Sequence, residues 1–275
     1  MVSHTFEIRD HRVGIRTTSE AFGAWVAETL AEYRTSEEAP PSYSVVVGEP
    51  SAGRSKNFHI LYQQTLTIAR TLDLGSLVRT LLSELEGVTF LDRDDAIYAD
   101  CRAVSFDGGT ALVPAILVPY VQEMGRHVER SGLVMPEETA VAIDPETAEL
   151  VPLRPELQLP NDALQRLARV LPMNGHAGRR QTYGRRDIDL VFSINDLETP
   201  FERVSSGVAL YRLASHVLNF DKLGGTALEG TARVIERAQS FTLDSAAPKD
   251  MLEGLTGAIR FSRAARGAST LANPV

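Results

Sequence analysis

The pattern of apolar and polar positions over the first third of the chain predicts a small α/β region. Apolar residues alternate, with one break, from Phe6 to Ile15, which predicts a single strand or a hairpin. A helix is predicted to begin at Thr18 or Ser19 and to end before Pro40, because the apolar residues between them recur at helical spacing. Three further strands and a second amphipathic helix are expected at residues 43–47, 58–62, 66–69 and 72–87.

The centre of the chain, from Ala103 to Leu133, is predicted to form a hairpin followed by a helix. Two short apolar runs are joined by Asp107-Gly108-Gly109, and Asp-Gly is a strong signal for a tight turn because glycine adopts positive φ at little cost. Apolar residues after Pro119 recur at near-helical spacing, and proline suits the first turn of a helix. Nucleotide-binding proteins place a phosphate-binding loop in this arrangement of strand, tight connection and helix.

The residues in that connection do not suit a phosphate. A phosphate-binding loop needs glycines whose N–H groups face the phosphates, a lysine for their charge and a hydroxyl for the metal ion. The connection from Pro114 to Pro119 has none of these, and its two prolines remove N–H donors. A second candidate stretch, residues 48–56, ends in Lys56, but no Gly-Lys-Ser triplet closes it. We therefore expect the frame of a phosphate loop without its chemistry.

The remaining pattern predicts a larger second α/β region. Strands are expected at residues 139–143, 150–153, 188–194 and 241–243. Helices are expected after a cap at Asn161, from Ser205 or Ser206, and over residues 226–238 and 251–259. The predicted organisation is an N-terminal α/β region over residues 1–92, a core over residues 93–260 and a flexible tail over residues 261–275.

Composition and charge narrow the classes of partner. The 275 residues carry a net charge of −8, which argues against nucleic acid or an anionic membrane as the main partner. No apolar run approaches the roughly 18 residues of a membrane span, and the N-terminus lacks the basic-then-apolar pattern of a secretion signal. The single cysteine, Cys101, excludes an internal disulfide and is expected to be a buried apolar residue. We therefore expect a cytoplasmic protein.

Familiar catalytic and metal-binding patterns do not occur in this sequence. The six histidines include no pair at i, i+4, and the HExxH and CxxC motifs are missing, so no metal site is expected. The Gly-x-Ser-x-Gly motif of a nucleophilic serine is missing as well. The acidic residues between Asp92 and Asp95 lack the spacing of a calcium loop and are expected to form a solvated connection. We therefore assign no catalytic residue and expect no cofactor.

Several short segments resemble HPr kinase-like proteins. They are LDLGSL at 72–77, GGTALVP at 108–114, IDPET at 143–147 and the C-terminal helix pair that precedes SFTL at 240–243. The segments look like their counterparts in HPr-kinase-related proteins of ribosomal peptide natural-product clusters. The resemblance implies an HPr-kinase-like (PEP carboxykinase-like) core. The departure at residues 114–119 implies that the kinase activity has been lost, because phosphoryl transfer depends on positioning and neutralising the phosphates.

The resemblance also implies a binding function. Some such proteins, those of crocagin-type clusters included, look like dedicated peptide binders, so we expect a non-catalytic protein that binds the leader of a precursor peptide and assists a modifying enzyme. Two alternatives stay open. One is a divergent ATP-dependent kinase or nucleotidyl transferase that uses Lys56 and acts on a peptide or a small molecule. The other is a structural or regulatory subunit, and a homodimer also stays open.

Three surfaces are candidates for binding the peptide. The first is a basic cluster whose guanidinium groups match carboxylates, with a mobile solvated loop as the alternative: Arg179, Arg180, Tyr183, Arg185 and Arg186. The second is the hairpin over residues 58–69, where an extended peptide would add as a strand at Phe58, Ile60 and Tyr62. The third is the vacated nucleotide crevice beside Pro114, with Ile116 and Tyr120.

Overall fold

Three β-sheets and the helices that pack on them make a mixed α/β structure, which confirms the predicted class. The computed structural model describes residues 1–48, 57–106, 109–115, 134, 140–153, 157–160, 162–171, 184–195, 201–244 and 254–258. The chain divides into unit 1, Met1–Thr89 with Pro155–Gly178, and unit 2, Phe90–Arg154 with Arg179–Val275. Residues 155–178 therefore group with the N-terminal unit, whereas the sequence pattern placed them in the 93–260 core.

A five-stranded sheet forms the centre of unit 1. Its strands are β1 (Val2–Ile8), β2 (His11–Thr17), β3 (Pro41–Val46), β4 (His59–Gln63) and β5 (Leu66–Thr71). They lie side by side in that order, with β2 and β3 parallel and the other pairs antiparallel. Of the two forms expected for residues 6–15 the hairpin is present, and the hairpin expected at 58–69 is confirmed, with Gln64 in its turn at a φ of 52°.

The first helix makes the crossover that parallel strands require. Helix α1 (Glu20–Thr29) begins at Ser19, whose hydroxyl oxygen accepts a hydrogen bond from the Phe22 N–H. Ser19 is thus the cap, and not Thr18. The helix ends at Thr29, well before Pro40 as predicted, and a 3-10 turn over Ala31–Tyr33 follows it.

Two further helices are described in unit 1. Helix α2 (Leu74–Val88) begins at Asp73, whose carboxylate accepts hydrogen bonds from the N–H groups of Gly75 and Ser76. Helix α3 (Ala163–Val170) comes from the returning segment, and its first residue is preceded by Asp162 as the cap residue. Asn161, the expected cap, lies outside the described residues.

The hydrophobic core of unit 1 lies on one face of the sheet. Alternate strand residues point into it, among them Phe6, Ile15, Val45 and Leu61. They pack against buried residues of the three helices: Phe22, Trp25, Val26, Leu74, Leu77, Val78, Leu81, Leu85, Ala163 and Leu167. We call the opposite face of the sheet the open face, because no helix of the described residues packs on it.

The described residues of unit 2 form two sheets. Their strands are β6 (Ile97–Ala99), β7 (Cys101–Phe106), β8 (Gly109–Pro114), β9 (Val141–Ile143), β10 (Leu150–Val151), β11 (Leu190–Asn195), β12 (Phe201–Arg203) and β13 (Gln239–Asp244). The smaller sheet has the order β10-β9-β6, and the larger has the order β12-β13-β11-β8-β7. Strands β8, β11 and β13 run parallel, as in an α/β crossover fold. The β7–β8 pairing confirms the predicted central hairpin.

The helices described in unit 2 follow β12. They are α4 (Ser206–Ala214), α5 (Phe220–Leu223) and α6 (Gly225–Arg237), and residues 254–258 are helical. Of the two starts expected for α4, Ser205 is the cap and Ser206 the first helical residue. Strand β12 and helix α5 were not predicted, because each is too short to show a periodic pattern. The helix expected over residues 119–133 lies outside the described residues, as does the tail from 261.

Candidate functional site

The outer edge of β5 is the exposed edge of the sheet in unit 1. Strand β5 pairs with β4 on one side, and no described residue pairs with it on the other. The opposite edge of the sheet is partly covered, because Phe6 in β1 forms a bridge with Arg34 and the Thr35 N–H donates to the Thr5 carbonyl at 3.2 Å. The sheet therefore offers unpaired backbone groups along β5.

The side chains of β5 do little to block that edge, although a bulge interrupts it. Lysine, proline and inward-pointing charge are common protections of an edge strand, and β5 has a single charged residue, Arg70. Exposed leucines flank it: Leu66 is 68% exposed and Leu72 is 48% exposed. A bulge at Ile68 shifts the register with β4, so the regular part of the edge runs through residues 69–71.

The open face beside this edge carries an apolar strip along β4. Ile60 lies between Val46 of β3 and Arg70 of β5 in the strand register. Tyr62 lies between Ser44 and Thr67 in the next row. The two side chains are half-buried although they face away from the core.

Phe58 extends the strip at the start of β4. The Arg70 guanidinium carbon lies 4.2 Å from the centre of the Phe58 ring, which is cation–π geometry. The three residues predicted for the second candidate surface therefore lie along one face of β4. Contrary to the prediction, they cannot receive an added strand directly, because β4 is already paired with β3 and β5. We call the outer edge of β5, from Leu66 to Leu72, with Phe58, Ile60, Tyr62 and Arg70, the β4–β5 surface.

The charges of the open face are unevenly distributed. Arg12 in β2 forms ion pairs with Glu7 and Glu37, so that its charge is neutralised. Arg16 donates to the Ser44 hydroxyl at 3.1 Å, and Arg70 stacks on Phe58, but neither forms an ion pair in the part of the chain that the structure describes. Arg70 is therefore a cation at the β5 edge of a protein that is acidic as a whole, whereas Arg16 lies in β2, away from that edge.

The start of β4 is held by a buried histidine. The His59 Nδ1 atom accepts a hydrogen bond from the Gly48 N–H at 3.2 Å. Burial lowers the pKa of His59, and the nearby Asp73 carboxylate partly offsets that effect. Neutral His59 is the form that accepts this bond. A side chain at Gly48 would collide with the Phe58 carbonyl, so the chain passes closely here and fixes the position of Phe58.

The predicted basic cluster is only partly within the described residues. Arg185 is paired with the Asp144 and Glu149 carboxylates. Arg186 donates to the Ser105 hydroxyl at 3.0 Å. Both guanidinium groups therefore already have partners within unit 2. This weakens the prediction that they bind the carboxylates of a peptide. Arg179, Arg180 and Tyr183 lie outside the described residues.

In the connection where a phosphate-binding loop would lie, the structure describes the first two residues, Pro114 and Ala115. Pro114 ends β8 and has no N–H. The next N–H, of Ala115, donates to the Asp100 carbonyl at 3.1 Å. These two positions therefore offer no N–H donor to a phosphate. Ile116, Tyr120 and Lys56 lie outside the described residues.

Several titratable side chains lie close together near the end of β8: Asp100, Arg102 and His216. Burial raises the pKa of Asp100, opposed by the nearby Arg102 and His216, and burial lowers the pKa of His216. Cys101 is buried and burial raises the pKa of its thiol, as expected of a structural cysteine and not of a nucleophile.

Two classes of site find no support in the described ranges. These residues contain no group of three or more His, Cys, Asp or Glu side chains arranged to hold a metal ion. No helix within them is both long and apolar enough to cross a bilayer.

The β4–β5 surface was only half predictable from the sequence. The hairpin was predicted with its second strand ending at Ala69, so Arg70, Leu72 and the role of β5 as the edge were missed. Residues 66–71 show no regular alternation of exposed and buried positions, so the sequence pattern carried no clear signal for extending the strand to Thr71.

Comparison with known proteins adds no relative: no family model, no curated protein and no solved structure matches this chain.

Proposed function

We propose that this protein binds an extended peptide segment by adding it as a sixth strand to the outer edge of β5. The observation that carries the proposal is the edge itself, which is unpaired within the described residues, nearly uncharged and flanked by exposed Leu66 and Leu72. In this mode the main chain supplies affinity through hydrogen bonds, and alternate side chains supply specificity.

We further propose that the peptide is the leader of a ribosomal precursor peptide, which the protein presents to a modifying enzyme. The resemblance to HPr-kinase-related proteins of peptide natural-product clusters supports this step. The chemistry at Pro114 and Ala115 supports a non-catalytic function, since neither residue offers an N–H to a phosphate. No catalytic residue is part of the proposal.

Selection from a phage-displayed library of random twelve-residue peptides tests peptide binding directly. Enriched peptides, made synthetically, are expected to bind the full-length protein. The double variant Leu66→Ser, Leu72→Ser should bind them about tenfold more weakly, because two exposed leucines lose their contacts. The matched control is Val170→Ser, which replaces a side chain 59% exposed on α3 of the same unit and should leave affinity unchanged. Equal weakening in all variants would contradict the proposal.

N-methylated peptides test strand addition itself. Successive amides of an added strand face the sheet and the solvent in turn. Methylating one alternate set should abolish binding, and methylating the other should preserve it. Equal effects of the two sets would exclude a sixth strand.

A thermal-shift measurement with nucleotide distinguishes peptide binding from the alternative of an ATP-dependent enzyme. Ligand binding to the native state raises its thermal midpoint. We expect a shift with peptide and none with Mg-ATP. A shift with Mg-ATP, combined with a library that yields no binder, would overturn the proposal in favour of a divergent kinase.

A further inference from the structure

We infer that the segment bound at β5 is acidic, with a carboxylate side chain that faces Arg70 on the open face. This inference rests on the proposed function and adds the charge of the ligand to it. It depends on the orientation, the electrostatic surroundings and the strand register of Arg70.

Arg70 is held in an orientation suited to binding an anion. Its guanidinium carbon lies over the Phe58 ring, 4.2 Å from the ring centre, and the Phe58 backbone passes close to Gly48. Stacking occupies a face of the guanidinium plane and leaves the N–H donors at its rim available for a planar acceptor. A carboxylate matches that fork with two parallel hydrogen bonds.

The electrostatic surroundings favour a negative ligand at this position. Acidic residues outnumber basic ones in the chain, 36 to 28, yet Arg70 forms no ion pair in the described part of it. Arg12, at the far side of the same face, has two carboxylate partners. Within the described residues, the Arg70 guanidinium therefore has no carboxylate partner at the edge where the peptide would dock.

The strand register brings a ligand side chain within reach of Arg70. A strand added to β5 would lie about 4.8 Å away, and directly opposed residues on one face have Cβ atoms about 5 Å apart. A glutamate or aspartate opposite Arg70 would therefore reach its guanidinium. Arg16 belongs to β2, three strand spacings or about 14 Å from β5, and is too distant for such a contact.

Arg16 therefore provides a matched control. It is exposed, lies on the same open face and forms no ion pair in the described part of the chain, but it is distant from the edge. The probes are a nine-residue peptide in which valine alternates with glutamate and its twin in which valine alternates with lysine. Binding is measured by calorimetry to the full-length protein at low and at physiological salt.

We expect the glutamate peptide to bind about tenfold more tightly than the lysine peptide, and the difference to shrink as salt screens the charges. The variant Arg70→Glu should reverse the preference, and Arg16→Glu should leave it unchanged. Reversal by Arg16→Glu as well would show a general field effect and would overturn a contact at Arg70.

The remaining outcomes separate this inference from the proposed function. If library peptides bind at β5 but the glutamate and lysine twins bind equally, strand addition stands and the acidic preference is wrong. If no peptide binds at all, the proposed function fails first. A thymidine oligonucleotide is the polyanion control. If it binds as tightly as the glutamate peptide, and if Arg70→Glu abolishes its binding, the assignment to a peptide is overturned.

Discussion

Asn219 joins three backbone groups in the interior of unit 2. Its amide donates to the carbonyls of Arg93 and Ala96 at 2.8 Å, its oxygen accepts from the Tyr98 N–H at 3.0 Å, and it is fully buried. Asn219→Ala should lower the free energy of unfolding by about 3 kcal/mol, because three buried polar groups lose their partners. Urea denaturation measures this. The exposed amide Gln165 is the control, and an equal loss in Gln165→Ala would contradict the assignment.

Asp100 is expected to destabilise the native state at neutral pH. Burial raises its pKa above the ordinary value of 3.8, with Arg102 and His216 opposing. The native state therefore binds the proton more tightly than the unfolded state, and that stabilisation is complete below pH 3.8 and is lost as pH rises through the native-state pKa. Asp100→Asn should be more stable than the natural protein at pH 7, with a gain that vanishes towards pH 3. A gain independent of pH would contradict this explanation.

At Gly230, helix α6 approaches the turn after β9 closely enough to exclude a side chain. A Cβ atom at Gly230 would collide with Ile97 and lie 3.0 Å from the Pro145 Cα atom. Gly230→Ala should therefore destabilise the protein by about 1–3 kcal/mol, despite the better helix propensity of alanine. Gly207 in α4 is the matched control, since nothing lies within 4 Å of its Cβ position. Gly207→Ala should stabilise by about 0.5 kcal/mol, measured by urea unfolding.

Most elements of the fold were predictable because each shows a clear period in sequence. The helices over residues 20–29 and 74–88 and the hairpin of β7–β8 follow from apolar spacing and turn residues, whereas the spacing left a strand or a hairpin open for β1–β2. The order of strands in a sheet was not predictable, since it depends on tertiary packing. For this reason the sequence identified the hairpin at residues 58–69 but not which of its strands is the edge.

At the scale of the whole molecule, the returning helix α3 completes the core of unit 1. Leu167 is fully buried there, and the Trp25 Nε1 atom donates to the Ala163 carbonyl at 2.8 Å. Leu167→Ala should destabilise unit 1 by about 2–4 kcal/mol and lower the urea concentration at which Trp25 fluorescence shifts to the red. Trp25 is the only tryptophan in the chain, so its emission reports on this unit. Val170→Ala, at an exposed position of α3, should change neither quantity.

Of the boundaries between the two units, the sequence predicted only the first, near residue 90. Asp92 to Asp95 were expected to connect two regions, and the first unit does end at Thr89. The sequence does not indicate that residues 155–178 belong to unit 1. Their helix has eight residues and an apolar side that includes Leu167, and such a helix could pack against the core of either unit. Long-range packing, not local pattern, decides such a return.

Hydrogen exchange tests the central claim most directly. The tightest peptide from the library is added to the full-length protein, and amide exchange is followed along the chain. The account predicts new protection at residues 66–71 of β5, where outward N–H groups gain partners, and no change in α3. Protection confined to unit 2, or no protection at β5 at saturating peptide, would contradict it.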